Sequence, residues 1–204
     1  MKLPLSLFLI RGTTDMSFGL LLLLGVLGVA VCTDLIAGRI SNKLILSGMA
    51  GALSFQAVAG SGYGVLSAAA GGIGLSAAFA GMAVGFAALF PLYLLRAMGA
   101  GDVKLMMVVG AFLGPLQTLG AVVLTFVAGG VLALAMALWQ RSLGQMLTNL
   151  RFMLTTSVVR AAGGDSPRLE PLQHTAGRMP YAVAIATGTL LQLVLVRSGG
   201  WALS

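Results

Sequence analysis

The sequence predicts an all-α membrane protein, a polytopic helix bundle with about six transmembrane helices. Hydrophobic residues make up 58% of its 204 residues and charged residues only 8%, against about 25% in an ordinary soluble domain. The mean hydropathy is +1.02. The apolar residues also fall into long runs, and a helix needs about 20 of them to cross a bilayer, because its backbone must satisfy its own hydrogen bonds there. A soluble globular domain is excluded.

Six apolar runs, separated by polar or glycine-rich segments, predict the helices in order. The turn "GRISNK" separates the first two runs, "GSGYG" follows the second, and "GPLQT" separates the fourth from the fifth. The third run is longer than one crossing, so its first part is expected to lie along the interface, and Pro91 can kink its end. The predicted spans are about 16–37, 44–59, 73–95, 103–114, 119–139 and 179–196.

The segments outside these spans are assigned to one domain, 1–204, together with the spans. Residues 1–15 are interpreted as a tail or interfacial segment, or else as an upstream start extension. The region of about 140–178 is the one extended polar segment, and it is predicted to be a cytoplasmic loop. It contains the amphipathic stretch "LGQMLTNLRFMLTTSVVR", which is typical of a helix lying on a membrane surface.

The basic residues predict the orientation of the bundle. The net charge is +7, but the basic residues lie between apolar runs, so they indicate topology and not a nucleic-acid partner. Placing the 38–43 turn and the 140–178 loop in the cytoplasm puts nine of the twelve Lys and Arg residues inside. Because cytoplasmic loops are enriched in these residues, the N-terminus is predicted to face out.

The sequence implies no metal or organic cofactor. Cys32 is the single cysteine and His174 the single histidine. They cannot supply the sets of four Cys and His ligands that structural zinc sites use.

Small residues recur at four-residue spacing in "GMAVG", with Gly81 and Gly85, and in "GAFLG", with Gly110 and Gly114. This spacing is typical of helices whose backbones approach closely in lipid, so plain helix packing is predicted here. The eleven methionines are interpreted mainly as core filler, including Met106.

Two of the five acidic residues stand at the ends of predicted spans: Asp34 closes the first and Asp102 opens the fourth. An ionisable residue at membrane depth is costly and is a functional candidate by default. Each has a structural alternative. Asp102 can be a helix N-cap, and Asp34 can form a salt bridge with Arg39 or Lys43.

The predicted topology places both acids at the cytoplasmic face, where they could meet. Two adjacent carboxylates share a proton, so that one can act as general base on water and the other as general acid on a carbonyl. The start of a helix favours an ionised Asp102 as the base, and the end of a helix favours a protonated Asp34 as the acid. The sequence has neither the HExxH motif of a membrane metalloprotease nor a serine and histidine pair within its spans. If the chain cleaves peptide bonds in the membrane, the aspartates must do it.

Two glycines, Gly99 and Gly101, precede Asp102 in the string "GAGD". Glycine permits backbone angles that other residues avoid and removes a side chain. The interpretation is that they leave room for an extended substrate beside the acid, and the alternative is an ordinary flexible loop.

Three pieces of the sequence resemble the type IV prepilin peptidase family of GxGD intramembrane aspartyl peptidases. They are "DLIAGRISNKL" from Asp34, "GAGDVKLMMVVGAFLG" from Gly99, and "MPYAVAIATG" from Met179. The resemblance implies that Asp34 and Asp102 are the catalytic acids. The family usually has proline where this chain has Ser41, and often glycine where it has Ala182.

The resemblance is closest to the short members that serve Flp/Tad-type pili and lack the cysteine-containing methyltransferase segment. It implies cleavage of the leader from a pilin precursor at the cytoplasmic face of the bacterial inner membrane, for pilus assembly. The partners implied are that precursor, itself a membrane helix, and the lipid bilayer. Asn42, Lys104 and Tyr181 are secondary candidates that would shape the site, although Lys104 can also mark the interface by snorkelling.

Two other functions stay open at this point. A small proton- or cation-coupled transporter could use the two acids as a relay, but the spans offer few polar residues to line a path. A non-catalytic membrane subunit of a pilus export machine would use the acids only as a cap and an ion pair, so Asp→Asn variants would keep full function.

Overall fold

The computed structural model describes residues 18–59, 73–95, 97–139, 155 and 180–198. Its elements are all helices, so the all-α prediction is confirmed. The predicted tail at 1–15, nearly all of the polar loop at 140–178 and the first part of the third apolar run lie outside the described residues. The helices are α1 Phe18–Ala37, α2 Asn42–Ala59, α3 Leu75–Leu94, α4 Ala100–Leu113, α5 Pro115–Trp139 and α6 Tyr181–Arg197.

Five of the helices form a ring around α4. Going round, α1 contacts α2, α2 contacts α3, α3 contacts α5, α5 contacts α6 and α6 returns to α1, while α4 contacts all five. The centre of the bundle is therefore α4, and every residue of it from Val108 to Leu113 is buried. The helix that begins with the "GAGD" string is the core of the fold.

Within the part of the chain that the structure describes, three helices are long and apolar enough to cross a membrane: Phe18–Ala37, Leu75–Leu94 and a segment of α5, Pro115–Met136. The helix Tyr181–Arg197 is apolar but shorter. Their exposed faces carry large hydrophobic side chains, such as Phe79 on α3 and Val127 on α5. Because such faces require an apolar solvent, the chain is a membrane helix bundle.

The boundaries of α4 and α5 differ from those predicted. The first begins at Ala100, three residues before the predicted start, and the second begins at Pro115 and not near residue 119. A single residue, Gly114, separates them, with φ of 80°. A glycine with positive φ can end a helix in one residue, and a proline is well suited to the first position of the next helix. The string "GPLQT" is thus a one-residue break and not a loop.

The proline of α3 does not end its helix. Pro91 lies within α3, and the helix continues beyond it to Leu94.

The glycines of α3 and α4 bring the two backbones into direct contact. A Cβ added at Gly81 would overlap the carbonyl of Gly110, and a Cβ at Gly110 would overlap the carbonyl of Gly81. One turn further along, a Cβ at Gly85 would lie 2.6 Å from the carbonyl oxygen of Met106. The prediction that these small residues serve helix packing is confirmed, and Met106 is fully buried as core filler.

Two buried glutamines join the helices. Gln56 of α2 donates to the carbonyl of Ala111 at 3.1 Å and accepts the amide of Ile73 at 2.9 Å. Gln192 of α6 donates to Gln117 of α5 at 2.7 Å, while its own Oε1 has no hydrogen-bond partner among the described residues. The bonds that form link α2 to α4 and α5 to α6, and so help to fix the positions of these helices.

Candidate active site

Asp34 lies in the last turn of α1 and reaches the start of α6. Its Oδ2 accepts a hydrogen bond from the backbone amide of Ala182 at 3.0 Å, across 148 residues of sequence. The side chain is half-buried, and Arg39 and Lys43 are exposed. Among the described residues, the partner of the carboxylate is this amide and not either basic side chain, so the predicted alternative of a salt bridge is wrong.

Asp102 is the third residue of α4 and not its N-cap. Its Oδ2 accepts the amide of Gly99 at 3.1 Å, and its own amide donates to the carbonyl of Gly99 at 3.2 Å. Gly99 is therefore the N-cap residue, and the aspartate folds back over it from the first turn. This arrangement satisfies backbone groups that the start of a helix leaves unpaired, so the capping role expected of Asp102 exists, three positions further into the helix than expected.

Both acids thus accept a backbone amide from the first turn of a helix. For Asp102 this is its own helix, and for Asp34 it is α6. The positive end of a helix dipole favours a negative charge, so the unfavourable end of α1 is offset by the favourable start of α6. The predicted division, with Asp102 ionised and Asp34 protonated, considered only the helix that carries each residue, and it stays a prediction.

The two glycines of "GAGD" are explained by contacts within the protein. A Cβ at Gly99 would lie 3.3 Å from Oδ2 of Asp102, and a Cβ at Gly101 would lie 3.2 Å from the Cβ of Ile40. Gly99 has φ of −81° and Gly101 is helical, so neither uses the unusual backbone angles that glycine allows. The space that a side chain at Gly101 would need is bounded by the loop that follows α1, and the interpretation that the two glycines leave room for a substrate beside Asp102 stays a prediction.

The loop between α1 and α2 is held against the start of α4. Lys104 donates from Nζ to Oδ1 of Asn42 at 3.1 Å, between two exposed side chains. Ser41 precedes α2 and its Oγ accepts the amide of Lys43 at 3.3 Å. A serine in this position is a good N-cap, so the residue that departs from the family pattern has a local role here.

Tyr181 is the first residue of α6 and packs against α5. Its ring passes beside Gly129 of α5, where an added Cβ would be 3.7 Å from the phenol oxygen and 3.6 Å from the ring. The next residue, Ala182, donates its backbone amide to Asp34. The start of α6 therefore contacts α5 through the Tyr181 side chain and α1 through the amide of Ala182.

All seven residues singled out from the sequence come to one end of the bundle. The contacts that bring them together involve four residues that the sequence reasoning did not select: Ile40, Ser41, Gly129 and Ala182. Two of these, Ser41 and Ala182, were visible as departures from the family pattern. Ile40 and Gly129 carried no signal. Among the described residues, no three His, Cys, Asp or Glu side chains are grouped so that they could hold a metal ion.

Comparison with known proteins gives one result. A sequence model described as the type IV leader peptidase family matches residues 21–134, which is more than half of the chain. The matched range contains both acids, both glycines of "GAGD", Asn42 and Lys104, whereas α6 with Tyr181 follows it. Comparison with curated proteins and with solved structures gives no match.

Proposed function

The chain belongs to the type IV leader peptidase family, and from this premise we propose that Asp34 and Asp102 are its catalytic dyad. It is a membrane peptidase of that family, and the proposal concerns which residues act and on what. The observation that carries it is that the segment following Asp34 lies against the start of the helix that carries Asp102, although the two acids belong to different helices. A Cβ added at Gly101 would lie 3.2 Å from the Cβ of Ile40, and Lys104 donates a hydrogen bond to Asn42 at 3.1 Å.

The dyad works on one water molecule and one peptide bond. The ionised carboxylate takes a proton from water as its oxygen attacks the carbonyl carbon, and the protonated carboxyl gives its proton to the carbonyl oxygen. The tetrahedral intermediate then collapses and the C–N bond breaks. The leaving amine takes the proton that the base had received, and a hydroxyl of the intermediate returns its proton to the other carboxylate as the C=O bond re-forms. The dyad returns to its starting state with one shared proton. Which acid starts ionised is a property of the pair.

The proposed substrate is the precursor of a type IV pilin of the Flp class, whose leader is removed for pilus assembly. The proposed location is the bacterial inner membrane, with the N-terminus outside and the acids at the cytoplasmic face. The distribution of basic residues supports this orientation.

We also propose that residues 1–204 form one peptidase domain without a methyltransferase segment, since the chain has one cysteine. Within this domain, we propose that Asn42, Lys104 and Tyr181 shape the site.

Co-expression with a pilin precursor tests the proposal. Leader removal is followed as a mobility shift on a gel, for the wild type and for Asp34→Asn and Asp102→Asn. Each variant is expected to leave the precursor uncleaved, because an amide cannot take up or deliver the proton. Asp165→Asn, at an aspartate of the polar loop, is the matched control and should cleave normally.

The variants also separate this proposal from its structural rival. An asparagine can still accept a backbone amide, so Asp34→Asn and Asp102→Asn keep the capping contacts. A non-catalytic subunit would therefore tolerate both substitutions. Normal processing by either variant would end the dyad proposal.

A further inference from the structure

We propose that the start of α6, residues 180–182, is a positioning element for the dyad, with the backbone amide of Ala182 as the group that orients Asp34. The inference rests on the proposed function, because it takes Asp34 and Asp102 as the reacting acids. It adds a third participant that touches no substrate and acts through Asp34.

The first step is that α6 lacks a cap of its own. Its N-cap residue is Pro180, which makes no side-chain capping hydrogen bond. The first amides of a helix have no acceptor within the helix and need one from outside. For the amide of Ala182 that acceptor is Asp34 of α1. One hydrogen bond therefore meets two needs, because it caps α6 and it fixes one carboxylate oxygen of Asp34.

The second step is that the amide is held rigidly. Ala182 is fully buried, as are Ala184 and Ile185 one turn along. The donor is thus anchored in the core, while the acceptor lies on a half-buried side chain at the surface of the bundle. A carboxylate with one oxygen tied to a fixed donor loses most of its rotational freedom. Catalytic groups depend on this kind of support, since small displacements of a reacting group reduce rate strongly.

The third step is that the same element is held from its other side. Tyr181 precedes Ala182 directly, and its ring lies beside Gly129 of α5, where an added Cβ would be 3.6 Å from the ring. The start of α6 is therefore packed against α5 and hydrogen-bonded to α1, so the amide that binds Asp34 cannot shift without disturbing its packing against α5.

Replacing Ala182 by proline removes the amide proton and tests the role directly. Proline is accepted near the start of a helix, where its missing N–H does not break an intrahelical bond. The added ring atoms have a separate cost at a buried position, and Ala182→Val measures it, because valine adds two carbons and keeps the N–H. The kinetics of leader cleavage are then compared between these two variants and not with the wild type alone.

We expect kcat of Ala182→Pro to fall about 10- to 100-fold below that of Ala182→Val, the range found when supporting hydrogen bonds of a reacting group are removed. KM for the precursor should agree within about twofold, because the amide does not touch the substrate. Equal kcat values for the two variants, with Asp34→Asn inactive, would overturn the positioning role and leave the dyad intact. An active Asp34→Asn would instead overturn the dyad and this inference with it.

Thermal unfolding in detergent gives a second reading that does not need activity. Asp34→Asn keeps an oxygen for the amide of Ala182, whereas Asp34→Ala does not. The alanine variant should therefore unfold at a lower temperature than the asparagine variant. This measurement remains informative if Ala182→Pro does not fold, because equal unfolding temperatures for the two Asp34 variants would show that the contact does not hold α6.

Discussion

Two sets of glycines, at different places in the bundle, have different neighbours. Gly81, Gly85 and Gly110 lie in the seam between α3 and α4, and a Cβ on any of them would meet the backbone of the facing helix. Gly99 and Gly101 lie at the candidate active site, and a Cβ on either would meet a side chain, the carboxylate of Asp102 or the Cβ of Ile40.

The two sets of glycines differ in whether the group that faces them can move. A backbone carbonyl inside a helix cannot give way unless the whole helix shifts, and cores resist such shifts. A side chain or a short loop can adjust by a few tenths of an ångström. The seam therefore determines whether the bundle forms, and the glycines at the site determine how closely its parts approach. Substitutions in the first set should cost stability, and those in the second should mainly cost activity.

The largest effect is expected for Gly110→Ala. The new methyl group overlaps the carbonyl of Gly81, and we expect a loss of at least about 3 kcal/mol or failure to accumulate folded protein. The measurement is thermal unfolding in detergent. Gly51→Ala is the matched control, because Gly51 lies in α2 with nothing within 4 Å of the new atom. Equal behaviour of the two variants would contradict the close seam.

A smaller effect is expected for Gly101→Ala. Its methyl group would press on Ile40 at 3.2 Å, which a loop residue can relieve at a cost of about 1 kcal/mol. The shift moves the start of α4 relative to the α1–α2 loop, so we expect kcat for leader cleavage to fall about tenfold while the protein stays folded. If Gly101→Ala lost as much stability as Gly110→Ala, the two sets of glycines would not differ in the way proposed.

The contact between Asn42 and Lys104 should contribute less again. Both side chains are exposed, and their hydrogen bond is worth about 0.5–1 kcal/mol. A double-mutant cycle with Asn42→Ala and Lys104→Met measures it, and the second substitution should cost less when the first is present. Strictly additive losses would favour the alternative in which Lys104 only marks the membrane interface.

An effect of similar size but opposite sign is expected between α5 and α6, which also approach closely, at Gly188 and Thr125. The hydroxyl of Thr189 is buried and has no hydrogen-bond partner among the described residues. Replacing it by the isosteric valine removes an unsatisfied polar group without changing the helix separation, so stability should rise by about 0.5–1 kcal/mol. The neighbouring Gly188→Ala should instead destabilise, since its Cβ would overlap the backbone of Thr125. A loss of stability in Thr189→Val would show that the hydroxyl has a partner after all.

Much of the fold could be predicted from the sequence, because apolar runs and their lengths determine which segments enter a membrane. The central position of α4 in the bundle was harder to predict from the sequence. Of the six helices described, it is the shortest, at 14 residues or about 21 Å, and its central position depends on glycines in another helix. The break at Gly114 was predicted to be longer, because composition alone does not show that one glycine with positive φ separates the two helices.

The candidate site could be predicted at the level of residues but not of contacts. Asp34 and Asp102 stand out because acids are rare in such a chain. The partner of Asp34 is a backbone amide 148 residues away, and every residue except proline has one, so no pattern identifies it. The glycines of "GAGD" were recognised correctly as close-approach positions, but the group that approaches Gly101 comes from the protein itself.

The central claim is that Asp34 and Asp102 act as one unit, and the most direct test is the rate of leader cleavage by the two single Asp→Asn variants and the double variant, purified and assayed with one precursor. Groups that act together are not additive. We predict that each single substitution lowers kcat by at least about a thousandfold and that the double variant is no slower than either single one. Appreciable cleavage by either single variant, or a double variant whose loss is the product of the single losses, would contradict the account.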